Sequence, residues 1–347
     1  MTRTLGRIAF TVTCLLVAGP LAAQDRFGVL EFFGRILCPS CAEAGAAIST
    51  LQTEFAGRAV LLEYEYDTFS QSKRIARFWA AQDEAVLPLV MVGSGNWTTS
   101  GARTVGIYRN LVDHELARPP GAAVSAYSRR VGDALRVYVR AQYTGDEDLT
   151  PEDDPTLWLL VWEDRPIGNT RTWVRAAGSK TLPPRFTRGA VVDMVLDTPS
   201  FADVDWSTVQ SLALVERGIG ETNASGLRRY DALQAAVARP ATLTVTPERL
   251  ALGAARSEAF LALDGPHVLA WNATTDVEWL RVDPAAGALP SSPSVSLVHD
   301  LLPPTSATGT VQVEATGDGM TFTTTIAVSV STTTPRRAGI RLRPTGD

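Results

Sequence analysis

Two cysteines with two residues between them, in Cys38-Pro39-Ser40-Cys41, are the residues of this 347-residue chain best suited to covalent chemistry. Such a pair can close as a disulfide or open as a dithiol whose thiolate attacks another disulfide. The thiolate fraction depends on what surrounds the sulfur. The apolar run Val29-Leu30-Glu31-Phe32-Phe33 predicts a buried strand, and the pattern that follows predicts a helix over residues 41–55. Cys38 therefore stands where a strand ends and a helix begins. A helix start offers unpaired N–H groups and a partial positive charge, and both favour thiolate over thiol. Pro39 falls in the first helical turn, where its missing N–H costs nothing.

The third cysteine, Cys14, lies in an N-terminal apolar segment expected to be removed, which leaves a mature chain whose cysteines are both in the pair. A four-residue loop gains only about 2 kcal/mol from cross-linking in the chain-entropy model. A purely structural bridge at this spacing would do little, so exchange chemistry is the better reason for the pair.

The first 23 residues read as a secretory signal. Arg3 and Arg7 make a basic start, residues 8–18 are apolar, and small residues precede a cleavage point after Ala23. The expected address is outside the cytoplasm: periplasm, outer-membrane association or secretion. Membrane contact is expected only through an uncleaved signal or that association. Losing Arg3 and Arg7 takes the formal charge from -5 to -7, which argues against nucleic acid as a partner. The length suits two or three domains.

Residues 25–118 alternate strand and helix. A second strand is predicted over residues 59–66, and a helix over residues 72–82 with Ile75, Phe78 and Trp79 on one face. The run Val86-Leu87-Pro88-Leu89-Val90-Met91-Val92 opens an apolar strand with a proline, which a cis Leu87–Pro88 bond would explain. Arg118-Pro119-Pro120-Gly121 reads as a linker. Residues 122–238 and 241–331 then show short strands of period two separated by turn residues, as in β-sandwiches. Thr332 onwards is rich in Thr, Pro and Arg and reads as a disordered tail.

A strand, a Cys-x-x-Cys at the next helix start and an apolar-Pro-apolar strand downstream resemble the thioredoxin fold over residues 25–118. The stretch from Val29 to Gly34 and into Cys38 most resembles secreted, outer-membrane-associated thioredoxin-like proteins of Bacteroidetes type. The resemblance implies that Cys38 attacks, Cys41 resolves and Pro88 lies beside the pair in its cis-proline loop. It also nominates Glu31 as a buried acid taking the proton of the resolving thiol, against the plainer reading of a solvated or ion-paired strand-end glutamate. Leu37 stands where the family usually has an aromatic residue, and Pro-Ser replaces Gly-Pro between the cysteines. The third segment, with Trp271, Trp279-Leu280, Pro284 and Gly287, resembles the BACON domain, which implies glycan contact. Trp271 and Trp279 could stack on sugars, although such residues more often fill a sandwich core.

The expected fold is thus an α/β thioredoxin-like domain followed by two all-β, immunoglobulin-like sandwich domains. The expected function is thiol–disulfide exchange on exported proteins bearing thiols or disulfides. The alternative is an envelope or secreted binding scaffold whose β-domains contact glycans or proteins. No cofactor is expected. Zinc needs four ligands and the motif supplies two, with only His114 in the same segment. The acidic run around residues 146–154 lacks calcium-ligand spacing and reads as a solvated loop. No serine-hydrolase or zinc-protease motif is present.

Overall fold

The computed structural model describes residues 24–82, 85–253 and 255–331. The expected signal segment and C-terminal tail lie outside the described residues. The chain divides into two compact units, one running to Ala241 and one beginning at Thr242.

The first unit runs β1 (Gly28–Gly34), α1 (Pro39–Glu54), β2 (Ala59–Glu65), α2 (Tyr66–Phe69), α3 (Ile75–Ala81), β3 (Leu89–Val92), β4 (Trp97–Ser100) and α4 (Val105–Leu116). It continues through β5 (Ala122–Val131), β6 (Ala134–Tyr143), β7 (Thr156–Asp164), β8 (Thr172–Thr181), β9 (Val191–Asp197), β10 (Val209–Thr222), β11 (Arg228–Val237) and the short β12 (Arg239–Pro240).

The expectation of a separate α/β thioredoxin-like domain is overturned. The described chain is mostly β with four α-helices. The strands of residues 25–118 are half of one eight-stranded sheet, ordered β11-β10-β7-β8-β2-β1-β3-β4. The reason is physical: β2 leaves an open edge, and β8 pairs with it in parallel at Glu63 and Trp173. The apolar face of β1 and β2 continues into the same core. Val29, Phe33, Leu62 and Tyr64 pack in one cluster with Trp158, Leu160, Trp162, Leu212 and Leu214. Every residue of β7 but the last is buried, as suits a strand in the middle of a sheet covered on both faces.

On one side, β7, β10 and β11 pack against a second sheet ordered β12-β5-β6-β9. Around β1 and β3, α1 and α4 cover a face through Leu30, Phe32, Ile48, Leu51, Val90, Tyr108 and Val112. This layer holds the Cys-x-x-Cys corner.

Apart from one short 3-10 turn, His299–Leu301, the described elements of the second unit are all strands. Its five-stranded and three-stranded sheets close on a core that includes Leu261, Leu269, Trp271, Val295, Val311 and Ile326.

Candidate functional site

Cys38 is the N-cap of α1, in extended backbone (φ -97°, ψ 112°), with Pro39 in the first turn. Its carbonyl accepts the N–H groups of Cys41 and Ala42, each at 3.0 Å. Its sulfur also accepts the Cys41 N–H at 3.2 Å, so this first-turn donor is shared between the Cys38 carbonyl and Sγ. Cys38 and Cys41 are joined as a disulfide, with Cα atoms 5.1 Å apart. The two sulfurs differ in access: Cys38 is half-buried, whereas Cys41 is fully buried against Leu30, Phe32, Ala44 and Ile48. The tight fit needs Gly34. A Cβ there would lie 2.8 Å from the Phe32 ring and 3.4 Å from the Cys41 Cβ.

Ser40 links the pair to the Pro88 segment. Its hydroxyl lies 3.2 Å from Cys38 Sγ and donates to the Leu87 carbonyl at 3.1 Å. The Leu87–Pro88 peptide is cis and Pro88 is buried at the head of β3. The Gly101 N–H fixes this segment by reaching both the Val86 and Pro88 carbonyls, at 2.8 and 2.9 Å. Three apolar side chains stand exposed nearby in sequence: Ile36, Leu37 (95% exposed) and Val86. The structure thus brings Cys38, Cys41 and the Leu87–Pro88 segment into one corner.

Glu31 is not brought to that corner. Side chains alternate along a strand. Leu30 and Phe32 point to the α1 side with Cys41, so Glu31 points the other way, with Val29 and Phe33. There it is fully buried and accepts from Arg74 Nε, at 2.9 and 2.7 Å to its two oxygens, and from Arg74 Nη2. The nomination of Glu31 as proton acceptor for Cys41 is therefore corrected to an ion-paired residue on the opposite face.

This ion pair belongs to a buried network that the sequence did not reveal. Arg74 also donates to Glu216 at 2.6 Å and to Ser94 at 3.2 Å. Arg77 donates to Glu216 through Nε and Nη2, at 2.9 and 2.6 Å, and the Trp158 indole adds a bond of 2.7 Å. Two arginines and two glutamates balance to zero. Burial opposes the charge on Arg74, yet attraction from Glu31 and Glu216 outweighs it and raises the pKa above its ordinary value. Burial likewise opposes ionisation of Glu216, and Arg74 and Arg77 still hold its carboxyl below the ordinary range. Burial pushes the nearby Tyr64 hydroxyl well up. The only sequence hint was the Arg74/Arg77 spacing of three on a helical face, which does not say that the face is buried.

In the second unit, Trp271 and Trp279 are 2% and 7% exposed and sit in the core. Neither ring is open for sugar stacking; both fill the core, the plainer of the two readings of their residue type. The acidic loop pairs with arginines, Asp146 with Arg188 at 2.8 Å and Asp148 with Arg185 at 3.2 Å. Among the described residues, no His, Cys, Asp and Glu side chains cluster in a way that would hold a metal. None of the described helices is long and apolar enough to cross a membrane.

No known protein family and no curated protein matches the chain. Among solved structures, an Agrobacterium tumefaciens protein is 18% identical over 63% of this chain and 96% of its own, with a TM-score of 0.39. A Porphyromonas gingivalis protein of unknown function is 12% identical over 61% of this chain and 99% of its own, at 0.21. An Escherichia coli alpha-2-macroglobulin is 11% identical over 71% of this chain and 24% of its own, at 0.20. None of these is named as a thioredoxin, and likenesses this weak carry no functional argument.

Proposed function

We propose that the protein is an exported thiol–disulfide exchange protein, working through Cys38 and Cys41 on exported proteins that carry thiols or disulfides. The observation that carries this reading is the placement of the Cys38 sulfur. It caps α1, accepts the Cys41 N–H and stays half-open to solvent while its partner sulfur is buried. Donors aimed at Sγ favour its thiolate, and access lets a partner reach it. Ser40, 3.2 Å from the sulfur, supplies a second group, whose single hydroxyl proton can turn from the Leu87 carbonyl to that thiolate.

In the reducing direction, the Cys38 thiolate attacks one sulfur of the partner disulfide. A Cys38–partner bond forms, the partner S–S bond breaks, and the departing thiolate takes up the proton that Cys41 gives up. Cys41 then attacks Cys38 Sγ. The partner's second sulfur leaves as a thiolate and is protonated by solvent. Two electrons pass from the protein dithiol to the partner, and the Cys38–Cys41 bond closes. The reverse steps oxidise a partner dithiol. The export assignment rests on the signal-like pattern of residues 1–23.

The test is to equilibrate the protein in glutathione buffers of graded potential and trap free thiols. Exchange with a defined midpoint supports the reading. A pair that stays oxidised below about -300 mV and reacts with no test disulfide overturns it.

A further inference from the structure

The turn that presents Cys38 is held from outside its own segment. The Cys38 N–H donates to the Arg35 carbonyl at 3.2 Å. That same carbonyl accepts from Asn169 Nδ2 at 3.3 Å, using its second lone pair. Asn169 belongs to the loop of residues 165–171, which joins β7 to β8 more than a hundred residues downstream. It is anchored in turn on Glu63 of β2. The Asn169 backbone N–H and Nδ2 each donate to Glu63 Oε1 at 2.8 Å, and the Thr170 N–H donates to Oε2. Glu63 is itself buried, and it lies across β1 and β2 from Phe32, on the Cys41 side.

The loop is also pressed against α1. A Cβ on Gly45 would fall 2.5 Å from the Asn169 Cβ and 2.6 Å from its carbonyl oxygen. Further along α1, Gln52 donates to Thr172 at the start of β8, at 3.1 Å. The loop therefore touches both walls of the Cys-x-x-Cys corner: the turn before Cys38 and the first half of the helix that carries Cys41. A carboxylate fixed by three N–H groups is a rigid anchor, and one amide side chain carries that rigidity to the Arg35 carbonyl.

We propose that Asn169 is a positioning residue of the Cys38–Cys41 pair, setting its redox equilibrium by holding the Cys38 turn through the Arg35 carbonyl. This rests on the exchange function proposed above. A turn held in the geometry that keeps the two Cα atoms 5.1 Å apart favours ring closure. Loosening it weakens the disulfide relative to the dithiol.

The experiment compares wild type with Asn169→Ala in glutathione buffers, alongside the pH profile of Cys38 alkylation and the unfolding midpoints of the oxidised and reduced forms. The near-isosteric Asn169→Leu variant keeps the bulk and removes the donor without setting a second carboxylate against Glu63, so the test survives if the alanine variant fails to fold. The expected result is a disulfide about threefold to tenfold easier to reduce in each folded variant, or about 14–30 mV. The oxidised form should lose more stability than the reduced form. If wild type exchanges and the variants keep its equilibrium constant within about 1.5-fold, the proposal is overturned, even where the unfolding midpoints fall. If wild type itself does not exchange, the proposed function has failed and this inference falls with it.

Discussion

The Cys-x-x-Cys corner and the Arg74–Glu216 network lie on opposite faces of the same strand, β1, and they are built differently. The corner is assembled largely from neighbours in sequence: Cys38 accepts from Cys41, Ser40 sits beside Cys38, and the Arg35 carbonyl receives the Cys38 N–H. It keeps one sulfur within reach of solvent. The network joins residues up to 142 positions apart and admits no solvent at Arg74, Glu31 or Glu216. One is the proposed place of bond exchange. The other is a place where four charges must be satisfied at once, because a buried charge without its partner is costly. The contrast separates reactivity from cohesion: disturbing the network should cost stability and spare the potential, and disturbing the corner should move the reactivity or the potential of the pair.

The strongest test is Glu216→Gln. It leaves Arg74 with Glu31 alone and takes from Arg77 the carboxylate it pairs with, in a buried site. Breaking a buried pair costs about 3–5 kcal/mol, so the denaturant midpoint should fall sharply while the glutathione equilibrium of any folded protein stays close to wild type. A large shift in potential would break the separation.

The same residue predicts a pH dependence. Arg74 and Arg77 hold the Glu216 carboxyl below its ordinary range despite burial. Its folded pKa therefore lies below its unfolded one, about 4.3. The stability it contributes is fully present above that unfolded value and is lost as pH falls through the folded value. Unfolding free energy measured from pH 6 downward should decline in wild type, and Glu216→Gln should flatten part of that decline.

The two regions were also unequally legible. Cys38 at a helix start and Pro39 in the first turn follow from local pattern, because the forces involved act over four residues. The face of Glu31 does not. Period two says that Glu31 opposes Leu30 and Phe32, but which face receives α1 is decided by packing. The join between β2 and β8 was hidden for a similar reason. The run Leu157-Trp158-Leu159-Leu160-Val161-Trp162 fits a strand of a separate sandwich as well as a central strand buried on both faces. Only the pairing partner distinguishes them. The resemblance to a free-standing thioredoxin domain erred at that join. Trp271 and Trp279 teach the same lesson, since residue type favours a core over a sugar platform without deciding it, and burial decides it.

A smaller effect is expected behind the corner, at Gly34, the last residue of β1. In Gly34→Ala, the added methyl meets the Phe32 ring at 2.8 Å and the Cys41 Cβ at 3.4 Å. Overpacking of this kind costs about 1–3 kcal/mol. Since the methyl presses on the buried sulfur's own Cβ, this variant should move both the unfolding midpoint and the glutathione equilibrium. A change in stability alone would show that the Cys41 side of the corner yields more freely than its burial implies.

The mildest substitution discriminates best. Ser40→Ala removes a half-buried hydroxyl that lies 3.2 Å from Cys38 Sγ and donates to the Leu87 carbonyl. In the dithiol form that hydroxyl can donate to the thiolate, and a net hydrogen bond is worth about 1 kcal/mol. Losing it should make Cys38 harder to ionise, moving its alkylation profile to higher pH and slowing alkylation at pH 7 roughly fivefold. The Cys41 N–H remains, so the thiolate keeps one donor. The Leu87 carbonyl lies beside an exposed rim where water can replace the hydroxyl, so the unfolding midpoint should hardly change. Slower alkylation at unchanged stability would mark Ser40 as part of the reactive corner. Lost stability at unchanged alkylation would make it a strut for the Leu87–Pro88 segment and leave the Cys41 N–H as the donor that sets the sulfur's reactivity.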